Sequence, residues 1–230
     1  MKLIFIHGAG NTSAVWHYQV KYFPDAEAVN LLGRLSQGEP CASVEDYTDW
    51  LHRYIFQQGY SDPVLIGHSL GGAIAQLYAL KYPQDIKALV LIGTGARLRV
   101  APESLSLMRD GIENPSVWLK NFVEPRYSQV APEAREGIIK KIADAGAAVQ
   151  LNDSLCCDKF DIMDRVYQIR APTLIICGSE DQMTPPKYSS YLASKIEGAK
   201  LVIINGGTHL AFAETPEAVN QAIEQFLNEL

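Results

Sequence analysis

An α/β fold is predicted: a mostly parallel sheet of about six strands, helices on both faces, and a helical cap set into the chain between two strands. Two observations carry the prediction. Short apolar runs bounded by turn residues alternate with longer helical stretches, and strands separated by helices must pair in parallel, with helices covering both faces. The rhythm then fails once, from Arg97 to about Arg165, where helical pieces follow one another with no convincing strand between them.

The apolar runs fall at 3–6, 26–31, 64–67, 86–92, 173–177 and 201–204. Each is too short for a stable helix and has the continuous apolar character of a strand buried on both sides. Residues 44–57 form an amphipathic helix. After 64–67, the apolar residues Ala73, Ile74, Leu77 and Leu80 recur three and four apart, so a helix follows directly. Residues 215–230 read as a closing helix with Thr215 as its N-cap, Pro216 at its first position and Glu217 in its first turn. The excursion at 97–165 is punctuated by Pro102, Pro115, Pro125 and Pro132. Because it is rooted at strand ends, it is expected to lie over the edge where such sheets bind ligands; an ordinary crossover with extra helices on a side face is the alternative. The organisation expected is therefore a core at residues 1–96, a cap at 97–165, and the rest of the core at 166–230.

Composition narrows the class. The chain has 230 residues, 47% hydrophobic and 20% charged, with a net charge of −6. That describes an ordinary globular chain with a real core. The negative balance and the lack of any Lys/Arg cluster argue against a nucleic-acid partner. No run approaches a membrane span, and the four apolar residues before His7 are too few for a signal segment, which makes the cytoplasm the expected compartment. The four cysteines (Cys41, Cys156, Cys157, Cys177) match no metal-ligand spacing and read as thiols in a reducing environment; no metal site is expected.

The chemistry gathers around residues 63–83, PVLIGHSLGGAIAQLYALKYP. A strand that turns straight into a helix leaves almost no room at the turn. Gly67 and Gly71, two before and two after Ser69, relieve the crowding, while Ser69 is pushed into a strained conformation that exposes its hydroxyl. This is the G-x-S-x-G nucleophile elbow in its strand–turn–helix context. A serine hydroxyl needs a base within hydrogen-bond reach and a third group to orient that base. Among the five histidines, His17 and His52 have nothing catalytic nearby, His68 is expected to pack under the elbow, and His7 belongs to the loop after the first strand. His209, in GGTH just after the last strand, remains as the base. The orienting acid is expected after the 173–177 strand, where Gly178-Ser179-Glu180-Asp181 offers two carboxylates; Asp181 is preferred for its reach toward the His209 loop, with Glu180 as the alternative. Oxyanion donors are expected from the backbone N–H of Leu70, at the start of the elbow helix, and of Ala9, in the small-residue loop His7-Gly8-Ala9-Gly10.

Taken together, HGAG at 7–10, GHSLGG at 67–72, YPQDIKALVLIGT at 82–94, GSEDQMTP at 178–185 and GGTHLAFAETPEAVNQAI at 206–223 resemble the α/β-hydrolase superfamily over essentially the whole chain. The resemblance implies an eight-stranded sheet, a Ser69–His209–Asp181 triad, no cofactor, and a cap over the site. Two departures stand out. The usual N-terminal hairpin is missing, as in the plant methylesterase and hydroxynitrile-lyase branch. The familiar D-x-x-G-x-G-x-S loop is replaced by NLLGRLSQGEP at 30–40, which leaves that pocket wall undefined.

Serine at position 69 disfavours the Asp chemistry of similar dehalogenases and the Cys chemistry of dienelactone hydrolases. The favoured reading is a small-molecule carboxylesterase, with thioester or lactone hydrolysis as variants. Carbon–carbon hydrolase or lyase work by the same triad, and a non-catalytic ligand-binding protein on this scaffold, are the alternatives. Lyases of the similar plant branch carry Thr after the first-loop histidine; Gly8 here favours the esterase. Val15 and Trp16 beyond the first loop, with Leu105, Met108, Trp118 and Phe122 from the cap, are the candidate lining of an apolar acyl pocket, although packing between cap and core is an equal reading. Nothing in the sequence bears on oligomeric state.

Overall fold

Six strands form one wholly parallel sheet: β1 (Leu3–Ile6), β2 (Ala26–Val29), β3 (Val64–His68), β4 (Ala88–Ile92), β5 (Thr173–Gly178) and β6 (Lys200–Ile204), in the spatial order β2-β1-β3-β4-β5-β6. The computed structural model describes residues 1–34 and 38–230. Residues 35–37, within the 30–40 pocket wall left undefined above, lie outside the described residues. The eight strands implied by the resemblance are not all present: among the described residues the sheet has six.

The alternation of side chains explains the layers. Phe5, Val64, Ile66, Val90, Ile92, Leu174 and Ile176 face one core, while Ile4, Ile6, Leu65, Leu89, Leu91 and Ile175 face the other. Both faces of every central strand are therefore dry, as expected for a parallel sheet sandwiched between helices. On the first face lie α1 (His17–Tyr22) and, near the C-terminus, α9 (Ala211–Glu214) and α10 (Pro216–Leu227); on the second lie α2 (Val44–Gln57), α3 (Leu70–Lys81) and α8 (Pro186–Lys195). Each fully buried aliphatic side chain in these layers contributes roughly 1.5–3 kcal/mol of transfer free energy, an upper estimate because unfolded chains are partly collapsed.

Local signals set the helix ends. Ser43 caps α2 by accepting from the Asp46 N–H at 3.1 Å, and Glu45 and Asp46 sit in its positive first turn. Thr215 takes the N-cap position of α10, with Pro216 first and Glu217 in the first turn as expected, but it makes no side-chain capping bond. Its hydroxyl donates backwards to the Ala211 carbonyl at 3.0 Å, because the short helix α9 ends at Glu214 and presents that carbonyl first.

Between β4 and β5 the chain makes α4 (Pro102–Glu113), α5 (Pro115–Trp118), α6 (Pro132–Ala145) and α7 (Ala147–Lys159). A π-helical turn (Leu119–Val123) and a 3-10 turn (Glu124–Tyr127) join α5 to α6. Pro102, Pro115 and Pro132 each open a helix, where the missing N–H costs nothing. The strand order reverses around β1 and β3: β2 lies outside β1, while β4 to β6 extend beyond β3. The loops leaving β1 and β3 therefore diverge at a topological switch point, where α/β sheets open a crevice.

Candidate active site

The crevice is built around Ser69. It adopts φ 52° and ψ −114°, a region costing about 1–3 kcal/mol for a residue with a Cβ. Its surroundings over-determine the strain. The Ser69 N–H donates to Ile92 O at 3.0 Å, and its carbonyl accepts from the Ala73 N–H at 3.1 Å and the Thr94 hydroxyl at 2.9 Å. The flanking glycines are required by contact as well as by turn geometry. A Cβ on Gly67 would stand 2.2 Å from Gly71 O, and one on Gly71 would stand 2.1 Å from Ile6 O. Strand, elbow and helix are backbone against backbone.

His209 and Asp181 meet across the end of β4. His209 Nδ1 lies 2.8 Å from Asp181 Oδ2, and both reach over Gly93, whose φ of 51° and missing side chain leave the passage open. The Asp181 side chain is wholly buried. Its Oδ1 accepts from the N–H groups of Met183 and Thr184, each at 2.9 Å, and its Oδ2 also accepts from the Thr184 hydroxyl at 2.8 Å. Burial pushes its carboxyl up, but the hydrogen bond and charge of His209 and the Thr184 donors together hold it below the usual carboxylate range. An anionic Asp181 places the proton of His209 on Nδ1 and leaves Nε2 free as an acceptor. Glu180, the alternative acid, is solvent-exposed and takes the Ser179 hydroxyl at 3.3 Å.

The loop carrying His209 is braced from below. His68 is buried under the elbow, as expected, and its Nε2–H donates to the His209 carbonyl at 2.9 Å. Burial holds the His68 ring well below the ordinary imidazole value, so it stays neutral. Thr208 N–H donates to Glu214 Oε2 at 2.9 Å, and a Cβ on Gly178 would stand 2.0 Å from Gly207 O, so the β5 and β6 loops touch.

His7 is fully buried and held neutral by desolvation. It bonds Gly8 O through Nδ1 at 2.9 Å and accepts the Leu31 N–H at Nε2 (3.2 Å), tying the loop after β1 to the chain leaving β2. Gly8 presses on the elbow: a Cβ there would meet His68 Nδ1 at 2.8 Å and Ser69 Cβ at 3.1 Å. Ala9 lines the crevice beside Ser69, and Leu70 opens α3, whose first N–H groups lack intrahelical acceptors.

Ser69, His209, Ala9 and Thr184 share one cavity of about 470 Å³. Of the expected lining residues, Met108 and Phe122 face it, and four do not. Val15 and Trp16 are completely buried in the core, where the Trp16 ring packs 4.3 Å from Phe212 and 5.0 Å from Phe5. Leu105, on α4, is half-buried and does not line the cavity, although Ser104 and Met108 of the same helix do. Trp118 packs against Gly111 of α4, with its indole N–H donating to Gln150 of α7 at 2.9 Å. Residues that pattern reading missed, Asn11, Arg126, Tyr127 and Gln150, complete the wall. Thr184 had a signal: a hydroxyl three residues after an acid in a turn. Arg126 had none, since a lone arginine in a helical stretch reads as surface.

Among the described residues no group of three His, Cys, Asp or Glu side chains is placed to hold a metal ion, and no helix is long and apolar enough to cross a membrane. All four cysteines are free thiols.

Comparison with known proteins agrees with this geometry. A thermophilic esterase of known structure is 30% identical, covers 99% of this chain and 90% of its own, and superposes with a TM-score of 0.80. A thermophilic esterase from Thermogutta terrifontis, solved with malate bound, is 25% identical over 100% of this chain and 90% of its own, with a TM-score of 0.84. A bromoperoxidase from Bacillus anthracis, at 22% identity, shares the fold at a TM-score of 0.88 over 99% of this chain and 91% of that one. The sequence profile of the alpha/beta hydrolase family spans residues 3–222, from the first strand into α10, and with the parallel sheet and the Ser69 turn it makes this chain a member of that family.

Proposed function

We propose that the protein is a serine hydrolase of small carboxylic esters, working through an acyl-enzyme on Ser69. The observation that carries this is the 2.8 Å pairing of His209 with a buried, Thr184-clamped Asp181, in the same cavity as a serine held in a strained turn. His209 Nε2 takes the hydroxyl proton as Ser69 Oγ attacks the ester carbonyl. The N–H groups of Ala9 and Leu70 hold the oxyanion as it forms. Collapse of the tetrahedral intermediate breaks the bond to the alcohol, which leaves with the proton from His209. A water molecule then repeats the sequence and releases the acid. Asp181 keeps the imidazole in the working tautomer and stabilises its cation without taking the proton.

The cavity wall is largely apolar (Leu98, Val100, Met108, Phe122, Val123, Ile142), and about 470 Å³ is at the small end for ligand pockets. Short acyl chains are favoured on that ground. The test is a p-nitrophenyl ester series from acetate to hexanoate and on to long acyl chains, with phenylmethylsulfonyl fluoride labelling followed by mass spectrometry. Turnover of the short esters and a covalent mass on Ser69 are expected. Mandelonitrile cleavage is not expected, because Gly8 offers no hydroxyl beside His7. Cyanide release at a comparable rate would replace the esterase with a lyase, and labelling without turnover of any ester would leave a binding protein.

A further inference from the structure

The cavity wall carries a cation that no carboxylate among the described residues pairs with. Arg126, on the 3-10 turn after α5, is partly buried and lines the same space as Ser69. Its guanidinium carbon sits over the Phe122 ring, 3.3 Å from the centroid, and one Nη1–H donates to the Phe122 carbonyl. None of the ion pairs among the described residues includes it. Burial pushes its pKa down to about 10, so it remains charged at neutral pH. Arg34 shows how the same chain treats a buried guanidinium elsewhere: it is matched to Asp153.

A guanidinium fork offers five N–H donors in one plane. The Phe122 ring and carbonyl hold the guanidinium in place, and a single donor is used internally. An unpaired charge withdrawn from water is costly unless an anion meets it. The other titratable groups facing the cavity do not serve. Glu180 is exposed and bonded to Ser179, Asp181 is committed to His209 and Thr184, His68 is neutral, and the Tyr127 hydroxyl donates to Asn11. One isolated positive charge of planar geometry suits a carboxylate, through two parallel hydrogen bonds.

We propose that Arg126 binds a carboxylate on the substrate, so that the esters this protein hydrolyses are themselves acids, such as half-esters of small dicarboxylic acids. The assignment rests on the hydrolase reading above. It makes Arg126 a specificity residue: the apolar wall accepts the carbon chain, and the guanidinium selects the charged end.

Two substrate pairs test it, each an acid and its charge-masked methyl ester: mono-p-nitrophenyl glutarate, with the acid on the acyl side, and 3-acetoxybenzoate, with the acid on the alcohol side. The wild-type protein is expected to prefer the acid by at least about tenfold in kcat/KM in one pair, the range of a charge-assisted hydrogen bond. Arg126→Met is expected to collapse that ratio to about one, and Arg126→Lys, which keeps the charge without the fork, to leave part of it. Thermal melts check that both variants fold. Calorimetric titration of monomethyl glutarate into Ser69→Ala protein, and into the Ser69→Ala/Arg126→Met double variant, supplies a readout independent of turnover. Binding to the first and not to the second is expected. Ester hydrolysis with no acid preference in either pair, or a preference that survives Arg126→Met, overturns the carboxylate site and leaves the hydrolase standing. Arg126-dependent binding with no ester turned over leaves the anion site and overturns the hydrolase.

Discussion

Arg34 and Asp153, 119 residues apart in sequence and both without solvent exposure, form an ion pair that joins the loop after β2 to helix α7. The pair is fully hydrogen-bonded. Arg34 Nε donates to Asn11 O at 3.0 Å and Nη1 to Leu32 O at 2.8 Å, while Asp153 accepts from the Tyr47 hydroxyl at 2.8 Å and the Gly10 N–H at 2.9 Å. One carboxylate thus fastens α7 to the small-residue loop beside Ser69. Such pairs gain little over an apolar replacement of both partners, but losing one partner strands a buried charge.

Asp153→Ala is therefore expected to lower stability by about 3–5 kcal/mol, measured by urea unfolding. The Arg34→Met/Asp153→Leu double variant should recover most of that loss. A double variant as unstable as the sum of the singles would contradict the stranded-charge account.

Ser69→Ala should reduce ester turnover by on the order of 10⁴-fold or more with the fold intact, since only binding and oxyanion stabilisation remain. Circular dichroism and a thermal melt check the fold. Retention of a tenth of wild-type activity would remove Ser69 from the mechanism.

Asp181 makes stability depend on pH in a defined direction. Its carboxyl is held below the unfolded-state value of about 3.9. A depressed carboxylate contributes stability that is complete above the unfolded value and is lost as pH falls through the folded one. The gap in unfolding free energy between the wild type and Asp181→Asn should be widest near neutral pH and close progressively below about pH 4. Denaturation at a series of pH values measures it; a gap that widens in acid would show that the carboxyl is not held down.

The same substitution should have opposite signs at two glycines. At Gly71 a Cβ would meet the Ile6 carbonyl at 2.1 Å, and neither backbone can retreat, so Gly71→Ala should destabilise by about 1–3 kcal/mol or more and impair catalysis. Gly137 lies within α6 with nothing within 4 Å of its would-be Cβ, so Gly137→Ala should stabilise by about 0.5–1 kcal/mol. Thermal melts of the two variants settle the pair.

The sequence by itself determined the strands, the order of the helices and the elbow turn. Those rest on local physics: continuous apolar runs such as Val64–His68, the three-and-four spacing from Ala73 to Leu80, and the glycines around Ser69 are all read within a few residues. Boundaries moved by a residue or two where side-chain pattern and backbone pairing part, as at β2, which stops at Val29 rather than 31. The tertiary structure decided whatever depends on which distant surfaces meet. Glu180 and Asp181 are adjacent carboxylates, and only the Thr184 turn and the approach of His209, 28 residues on, bury one and leave the other in water. Val15 and Trp16 looked like pocket wall from their place beyond the HGAG loop, yet the packing of Phe5 and Phe212 draws them into the core. Arg34–Asp153 and the Arg126 cation carry no local signal at all. Whether a charge is matched within the chain or stands unpaired at a cavity wall is set by contacts across more than a hundred residues in the first case, and in the second by the meeting of the Glu124–Tyr127 turn with the loop that bears Ser69.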